Sequence, residues 1–173
     1  VTLNGGDYGW CMDQDATVVA LLNALADGYQ GTMEPEYLYT AKSRDTNDIG
    51  DTYVEICISQ QRMWCYQYGT CIVDTPVVTG NPNKGNATPS GGVWAIDAMK
   101  QNAILVGEGY QSPVDFWMPF HGDVGIHDMQ TRAYFGGTIY LTNGSHGCVN
   151  TPYEQAQTIF NTVSVGTPVI VYE

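Results

Sequence analysis

The sequence predicts a mainly β protein, built as a sandwich or barrel with little helix. Residues 53–59 alternate polar and apolar side chains with a period of two, which is the pattern of a half-buried strand. Short apolar segments follow at close spacing and are separated by Gly, Pro and Asn, which favour turns. After residue 52, residues 153–163 form the one good helical pattern. Many short strands with so little helix are typical of β-sandwiches and barrels.

Residues 1–45 have a different character from the rest of the chain. Asp13 or Asp15 is predicted to cap a helix that ends at Gly28. Its apolar residues form one stripe, consisting of Val18, Val19, Leu21, Leu22 and Leu25. The polar stretch 43–48 is the predicted boundary, so we expect a short α/β N-terminal part over 1–45 and a main domain over 46–173.

The main domain is predicted element by element from the same signals. Further strands are expected at 63–66, 70–73, 77–78, 93–96 and 169–171. Two loops are expected: residues 81–92 are rich in Pro, Asn and Gly, and residues 107–119 are predicted to form a lid over the site. The helix begins after Thr151-Pro152, and its Ile159 and Phe160 are predicted to pack inward.

The charge composition limits the kinds of molecule that the protein is expected to bind. The formal net charge is −12 and only six residues are Lys or Arg, which excludes a nucleic-acid-binding surface built on clustered cations. An acidic field favours a cationic substrate or acceptor, or it serves ordinary solubility. No apolar run approaches the roughly 20 residues needed to cross a bilayer.

Five cysteines are many for a cytosolic domain of this size. One of them, Cys148, lies in the motif described below, and the other four are Cys11, Cys57, Cys65 and Cys71. An even remainder is compatible with disulfides in an oxidising compartment, and equally with four free thiols. No CxxC pair is present, so the spacing does not predict a zinc ribbon.

Three of these cysteines lie on adjacent predicted strands. A turn centred on Gln61 would place Cys57 opposite Cys65, and a turn centred on Tyr68 would place Cys65 opposite Cys71. The Cα spacing across such a pair, about 4.5–5.5 Å, is within disulfide reach. We predict one disulfide within this trio.

The strongest chemical signal is Ser145-His146-Gly147-Cys148-Val149-Asn150, with His127 lying before it. Cysteine is the most nucleophilic side chain near neutral pH, but only as the thiolate, and a nearby imidazole can take its proton. Gly147 would let a substrate carbonyl approach backbone N–H groups. The pattern therefore predicts acyl transfer through a thioester.

This motif closely resembles the signature of the L,D-transpeptidase catalytic domain, the YkuD-like family: His, a gap of this size, Ser or Thr, His, Gly, Cys, an apolar residue, then Arg or Asn. The resemblance extends through residues 75–80, 88–91, 117–120 and 166–169, about the last three quarters of the chain. It implies a YkuD-like β-sandwich with one or two flanking helices. It also implies that 1–45 is the truncated tail of a preceding, peptidoglycan-binding-like domain, and that 46–173 is the catalytic domain.

The resemblance assigns the central roles. It implies that Cys148 is the nucleophile, that His127 is the base and that His146 supports them. His146 precedes Cys148 by two residues, so in an extended segment both side chains project to one face. We expect a neighbouring imidazolium to lower the pKa of the Cys148 thiol.

The remaining polar residues have predicted supporting parts. Asp128 is predicted to cap the turn 128–131, leaving a backbone carbonyl to orient His127. His121 matches no motif position and is predicted to be a surface loop residue.

Around the nucleophile we predict an oxyanion and substrate-binding loop. The N–H groups of Gly147 and Cys148 are the expected oxyanion donors. Ser145 is predicted to donate a hydrogen bond to substrate or to a histidine, because a serine needs stronger activation than a cysteine in the same site. Asn150 is expected to hold the loop or to contact substrate.

Two other classes of function are alternatives to cysteine-dependent acyl transfer. His121, His127, His146 and Cys148 together offer enough nitrogen and sulfur for a zinc ion. A non-catalytic module that holds wall peptides is the other, although the intact nucleophile motif argues against it. We expect neither a metal nor a cofactor.

The resemblance implies a peptidoglycan enzyme that forms 3→3 cross-links from a tetrapeptide donor stem and releases D-alanine. Hydrolysis at the same site would make it an L,D-carboxypeptidase. Peptidoglycan stem peptides are then the partners, and carbapenem-type compounds the inhibitors. We expect an extracytoplasmic location at a bacterial cell wall or surface. Residues Val1–Asn4 lack the features of a signal peptide, and we expect a longer protein anchored to the membrane through an N-terminal part.

Overall fold

Two β-sheets face each other across one apolar core in the computed structural model, which describes residues 3–107 and 110–173. The first sheet has six strands, in the spatial order β1 (Gly5–Gly6), β7 (Gly92–Ala95), β12 (Pro168–Tyr172), β4 (Tyr53–Cys57), β5 (Arg62–Gln67) and β6 (Thr70–Pro76). The second has four, in the order β11 (Val149–Thr151), β10 (Val124–Asp128), β9 (Tyr110–His121) and β8 (Lys100–Gly107). A separate pair joins β2 (Cys11–Met12) to β3 (Tyr37–Tyr39). The predicted mainly β sandwich is confirmed.

The core lies between the sheets because strands from both turn their apolar faces toward it. In β4 the predicted alternation is confirmed, since Val54 and Ile56 are fully buried while Tyr53 and Glu55 keep partial contact with solvent. The second sheet contributes Met118, Phe120, Ile126 and Val149, all fully buried. Each such side chain stabilises the fold by about 1.5–3 kcal/mol relative to an exposed position.

One helix, α3 (Tyr153–Thr162), packs on the second sheet against β9 and β10. Ala156 and Ile159 are fully buried on one of its faces, and the ring of Phe160 lies 5.3 Å from that of Phe116 on β9. The predicted helix and its inward-facing residues are confirmed. A short helix, α2 (Tyr140–Asn143), and a 3-10 turn at Pro82–Lys84 complete the main domain.

The N-terminal helix α1 (Gln14–Ala26) begins and ends as predicted. The carboxylate of Asp13 accepts the N–H of Ala16 at 3.0 Å, and Gly28 takes a left-handed φ of +70° in a Schellman-type ending. The predicted apolar stripe is not covered, because α1 has no buried residue in the part of the chain that is described. None of the described helices has the length and apolar character needed to cross a bilayer.

Residues before the predicted boundary also join the main sheet. Gly5 and Gly6 pair in parallel with Gly92 and Val93 of β7, which makes them its edge strand. The hydroxyl of Tyr8 donates to the carbonyl of Asp48 at 2.6 Å and accepts the N–H of Lys42.

The predicted loop over 107–119 is wrong in its described part. The segment belongs instead to a long hairpin of β8 and β9; residues 108 and 109 lie outside the described residues. Gly and Pro at its ends indicated a loop, but cross-strand pairing continues through Pro113, which faces Ile104. The predicted strand 77–78 is reduced to a single bridge between Val78 and Asn150.

The predicted disulfide is also wrong, because all five cysteines are free. The first turn is centred between Ser59 and Gln60 instead of on Gln61, so Cys57 pairs with Arg62 and Cys65 lies opposite Val54. A register shift next to Cys65 then places Cys71 opposite Tyr66. Since a one-residue slip moves a side chain to the other face of a sheet, Cys65 is buried while Cys71 is exposed.

Candidate active site

Two parallel strands of the second sheet bring the predicted nucleophile and base together. In the register of β10 and β11, His127 pairs with Asn150, and Cys148 comes directly before β11. Residues two apart on a strand share a face, so His127, Asn150 and Cys148 lie on the same side of the sheet. All three line one cavity of about 320 Å³, together with Ser145 and His146.

The loop that carries Cys148 is held by the segment after β6. Ser145 donates its N–H to the carbonyl of Thr79 at 3.0 Å, and its own carbonyl accepts the N–H of Asn81 at 3.0 Å. The hydroxyl of Thr88 donates to the carbonyl of Gly147 at 2.6 Å and accepts the N–H of Gly80 at 2.8 Å. These bonds fix the backbone on which the nucleophile depends.

Glycine is required at two points of this loop. Gly147 has φ +125°, which side chains rarely adopt, and a Cβ there would meet Val124 at 3.1 Å. A Cβ on Gly80 would lie 1.9 Å from the carbonyl oxygen of Asn86 and 2.8 Å from the Cα of Gly147. The close approach of the two backbones is therefore possible only without side chains.

Ser145 closes the nucleophile loop on itself. Its hydroxyl donates to the carbonyl of Cys148 and accepts the N–H of Gly147 at 3.1 Å. This differs from the predicted bond to substrate or to a histidine. It also gives the Gly147 N–H an acceptor in this state, so an oxyanion would have to compete with Ser145 for that donor.

His127 is almost fully buried, with 3 % of its surface exposed. Its Nδ1 lies 2.7 Å from the carbonyl oxygen of Asp128, and since a carbonyl only accepts, Nδ1 carries the proton. Nε2 is then the acceptor. The ring of Trp117, 6.0 Å away between centroids, packs beside the imidazole. The predicted orienting role of a backbone carbonyl is confirmed.

The carboxylate of Asp128 does not cap the turn 128–131 as predicted. Its Oδ1 accepts the N–H groups of Asp115 and Phe116 at 2.8 and 2.9 Å, and its Oδ2 accepts from the side chain of Gln130 at 3.2 Å. Asp128 therefore ties β9 to the end of β10, next to the base.

The electrostatics of the site favour a neutral pair at rest. Burial raises the pKa of the Cys148 thiol, partly offset by a hydrogen bond from the N–H of Gly125, and the carboxylate of Asp123 raises it further. Burial lowers the pKa of His127, against the raising effects of the Asp128 carbonyl and carboxylate. The expectation of an imidazolium that lowers the thiol pKa is therefore wrong for this state. The His127 imidazole is therefore neutral in this state, and its Nε2 can accept a proton.

The other two histidines are separated by the structure. His146 is exposed and lines the catalytic cavity. His121 is exposed at the end of β9, where its ring packs edge-on to Trp94 at 5.6 Å and does not line that cavity. It is thus a surface residue as predicted, but on a strand.

The backbone of Asn150 has one of its two predicted roles, which is to hold the loop. Its backbone exchanges hydrogen bonds with Val78 in both directions, at 2.9 and 3.0 Å, which holds β11 to the segment after β6. Its side-chain oxygen is buried without a hydrogen-bond partner and belongs to a residue lining the cavity, so it suits an N–H donor of a substrate.

The zinc alternative has no support in the geometry. Among the described residues, no group of three or more His, Cys, Asp or Glu side chains could hold a metal ion. The four ligands proposed from sequence include His121, which lies against Trp94 instead.

Sequence reasoning missed several residues of the site. Leu105, Gln111 and Ser112 reach the cavity from the hairpin of β8 and β9, and Arg132 reaches it from the turn after β10. For Thr88 a signal existed, since it begins a segment that matched the family pattern. For Arg132 the only signal was the rarity of cations in the chain.

Comparisons with known proteins identify the family of the chain. Residues 51–171 match the family YkuD, the L,D-transpeptidase catalytic domain. The crystal structure of a cysteine-to-serine mutant of Enterococcus faecium L,D-transpeptidase is similar, with 36% identity and a TM-score of 0.79 over 99% of this chain and 69% of that one. The catalytic domain of the E. faecium enzyme acylated by ertapenem is similar over 71% of this chain and 98% of that one, with 40% identity and a TM-score of 0.64.

A more distant likeness concerns the fold alone. An L,D-transpeptidase from Mycobacterium tuberculosis is 24% identical, with a TM-score of 0.62 over 71% of this chain and 58% of that one. No curated protein sequence matches the chain. The family match covers most of the sequence, and the chain belongs to the YkuD family of L,D-transpeptidase catalytic domains.

Proposed function

We propose that this member of the YkuD family is a peptidoglycan L,D-transpeptidase that works through a thioester on Cys148. The observation that carries the proposal is the placement of Cys148 and a neutral, carbonyl-oriented His127 in one cavity. A buried neutral base and a half-buried neutral thiol in one cavity are suited to proton transfer during attack, because neither group has to lose a charge first.

The first half-reaction consumes a tetrapeptide donor stem. Cys148 Sγ attacks the carbonyl carbon of the third residue while Nε2 of His127 takes the thiol proton. The Asp128 carbonyl, already bonded to Nδ1–H, stabilises the imidazolium that forms. His127 returns the proton to the amine of D-alanine as the C–N bond breaks, which leaves the thioester.

The second half-reaction transfers the acyl group. An amine from a neighbouring stem attacks the thioester carbonyl, His127 accepts its proton, and Cys148 leaves to be reprotonated. The product is a 3→3 cross-link. The N–H of Cys148 is the oxyanion donor in both steps, joined by that of Gly147 when Ser145 releases it.

The same cavity is proposed to accept carbapenem-type inhibitors. The E. faecium relative acylated by ertapenem supports this, because an opened β-lactam is an acyl group of the same kind. We propose that the Sγ atom of Cys148 is the atom that these inhibitors acylate.

Location and domain organisation are part of the proposal. A peptidoglycan substrate calls for an extracytoplasmic site of action at the cell wall, and we propose anchoring through a part of the protein that precedes this chain. Residues 1–45 are proposed as the end of a preceding domain, which is supported by the exposure of the apolar side chains of α1, such as Leu22 and Leu25.

Incubation with a disaccharide-tetrapeptide, followed by intact mass spectrometry, tests the function. A covalent adduct with the mass of the tripeptide acyl group, followed by dimers, is the expected result. Tripeptides without dimers would identify an L,D-carboxypeptidase with the same site. An unmodified protein and an unchanged substrate would contradict both.

A further inference from the structure

The cavity that holds Cys148 contains one cationic side chain of permanent charge. Of the twelve described residues that line it, Arg132 is the only Lys or Arg, and none is Asp or Glu. The two other arginines are engaged at the surface, Arg44 with Glu34 at 2.9 Å and Arg62 with Asp74 at 2.8 Å. Within the described part of the chain, Arg132 makes no ion pair.

The position of Arg132 is set by backbone contacts on both sides of the site. Its N–H donates to the carbonyl of Met129 at 3.2 Å, which places it in the turn after β10. Its Nη2 donates to the carbonyl of Asn143 at 2.9 Å, the last residue of α2 before the nucleophile loop. The guanidinium therefore joins the turn beyond His127 to the segment that leads to Cys148.

One N–H of the guanidinium lacks an acceptor within the part of the chain that is described. Its Nε is buried with no hydrogen-bond partner among the described residues. A buried N–H without an acceptor is unfavourable, and a carboxylate is the acceptor whose geometry matches the planar fork of arginine. Burial lowers the pKa of Arg132, but from so high a starting value that it stays charged at neutral pH.

The proposed donor presents such a carboxylate. The bond that breaks is the last peptide bond of the stem, so the free carboxylate of D-alanine lies within one residue, at most about 3.6 Å of extended chain, of the carbonyl that is attacked. The chain carries a net charge of −12, which repels an anionic end unless a local cation offsets it.

We infer that Arg132 binds the terminal carboxylate of the donor stem and makes the site selective for stems with a free C-terminal residue. This inference rests on the proposed function. It assigns Arg132 a role in substrate specificity, separate from the proton transfers of His127 and Cys148. Binding the carboxylate also positions the scissile carbonyl over the thiol.

Two matched donors test the inference: one tetrapeptide stem ending in D-alanine and one ending in D-alanine amide. The wild-type protein should acylate at least about tenfold faster, in kcat/KM, with the acid than with the amide. Arg132→Gln should lower kcat/KM for the acid by about 10–100-fold, mainly through KM, as expected for a charge-assisted bond. It should change the value for the amide by less than about threefold. Arg132→Lys should restore part of the preference, and Arg62→Gln, which alters a surface pair, should leave it intact.

A second measurement does not depend on peptidoglycan chemistry. Iodoacetate and iodoacetamide alkylate the same thiol. They differ in charge, because iodoacetate carries a carboxylate and iodoacetamide a neutral amide. The ratio of their rates at Cys148 should fall by about tenfold in Arg132→Gln and stay unchanged in Arg62→Gln.

The outcomes separate the two proposals. The role of Arg132 would be overturned if Arg132→Gln lowered kcat/KM equally for the acid and the amide donor. An unchanged ratio of the two alkylation rates would also overturn it. A wild-type protein that acylates neither donor would overturn the proposed function, while the alkylation ratio would still decide whether Arg132 attracts a carboxylate to the thiol. Thermal unfolding of each variant shows whether a loss of acylation rate is caused by misfolding. If Arg132→Gln is misfolded, the comparison of Arg132→Lys with wild type decides whether Arg132 binds the carboxylate.

Discussion

The Nδ1 atom of His127 lies 2.7 Å from the carbonyl oxygen of Asp128, its neighbour in the chain. This bond determines which nitrogen carries the proton, and it leaves Nε2 as the only ring atom able to accept one. An imidazole held in this way needs no carboxylate partner to set its tautomer. The Asp128 carboxylate is instead committed to the backbone of β9.

Replacing Cys148 by alanine should abolish covalent acylation, by a tetrapeptide donor and by a carbapenem, without loss of the fold. The thiol is the only nucleophile of its kind lining the described cavity. Intact mass spectrometry measures the adduct. Cys71→Ala, at an exposed position, is the matched control and should be acylated normally. An adduct on Cys148→Ala, or one mapped to Cys57, would show that the nucleophile is elsewhere.

His127→Ala should slow acylation by about 10²-fold or more, because it removes the proton acceptor. His121→Ala should have little effect, since that ring lies against Trp94. His146→Ala should also reduce acylation, because His146 lines the same cavity as Cys148. The checks are single-turnover acylation and the pH dependence of Cys148 alkylation. An unchanged titration of Cys148 in His127→Ala would break the proposed pairing.

The stability of the protein should fall as the pH decreases below about 6.5, the ordinary pKa of histidine. Burial lowers the pKa of His127 in the folded state, so below that pH the unfolded chain binds more protons than the native one. Urea unfolding at a series of pH values measures the effect. His127→Gln cannot titrate and should show a shallower decline over the same range. Identical slopes for the two proteins would mean that His127 is not desolvated in the native state.

Thr88→Val should destabilise the protein by about 1–3 kcal/mol and slow acylation. The variant keeps the shape of the side chain but leaves the N–H of Gly80 and the carbonyl of Gly147 unpaired in a buried place. Urea unfolding and acylation kinetics are the measurements. Thr158→Val on the exposed side of α3 is the control, with an expected change within about 0.5 kcal/mol. If the Thr88 variant were as stable and active as wild type, the hydrogen bonds of Thr88 would not be needed to hold the site.

Asp128→Ala should cost about 2–4 kcal/mol, because the N–H groups of Asp115 and Phe116 lose their common acceptor. Asp128→Asn keeps a carbonyl oxygen at the same place and should cost less. Chemical unfolding of both variants gives the comparison. If the asparagine variant were as unstable as the alanine one, the charge of Asp128 rather than its hydrogen bonds would be the stabilising feature.

Local patterns were sufficient for part of the fold. The alternation around Val54 and Ile56 and the inward placement of Ile159 and Phe160 each depend on a period that one element imposes on its own side chains. The hairpin of β8 and β9 was missed because its Gly and Pro residues favour a loop locally, while the pairing that overrides them comes from the neighbouring strand.

The sequence by itself determined the mainly β class and the family motif, and it predicted the nucleophile and the base, because short-range spacing and residue chemistry carry that information. The tertiary structure alone decided the rest. The register of β10 on β11 brings His127 to the face of Cys148, burial sets the direction of both pKa shifts, and the turn after β10 brings Arg132 into the cavity. The strand register, the burial of the two side chains and the placement of Arg132 in the cavity depend on residues far apart in the chain, so no local pattern contains them.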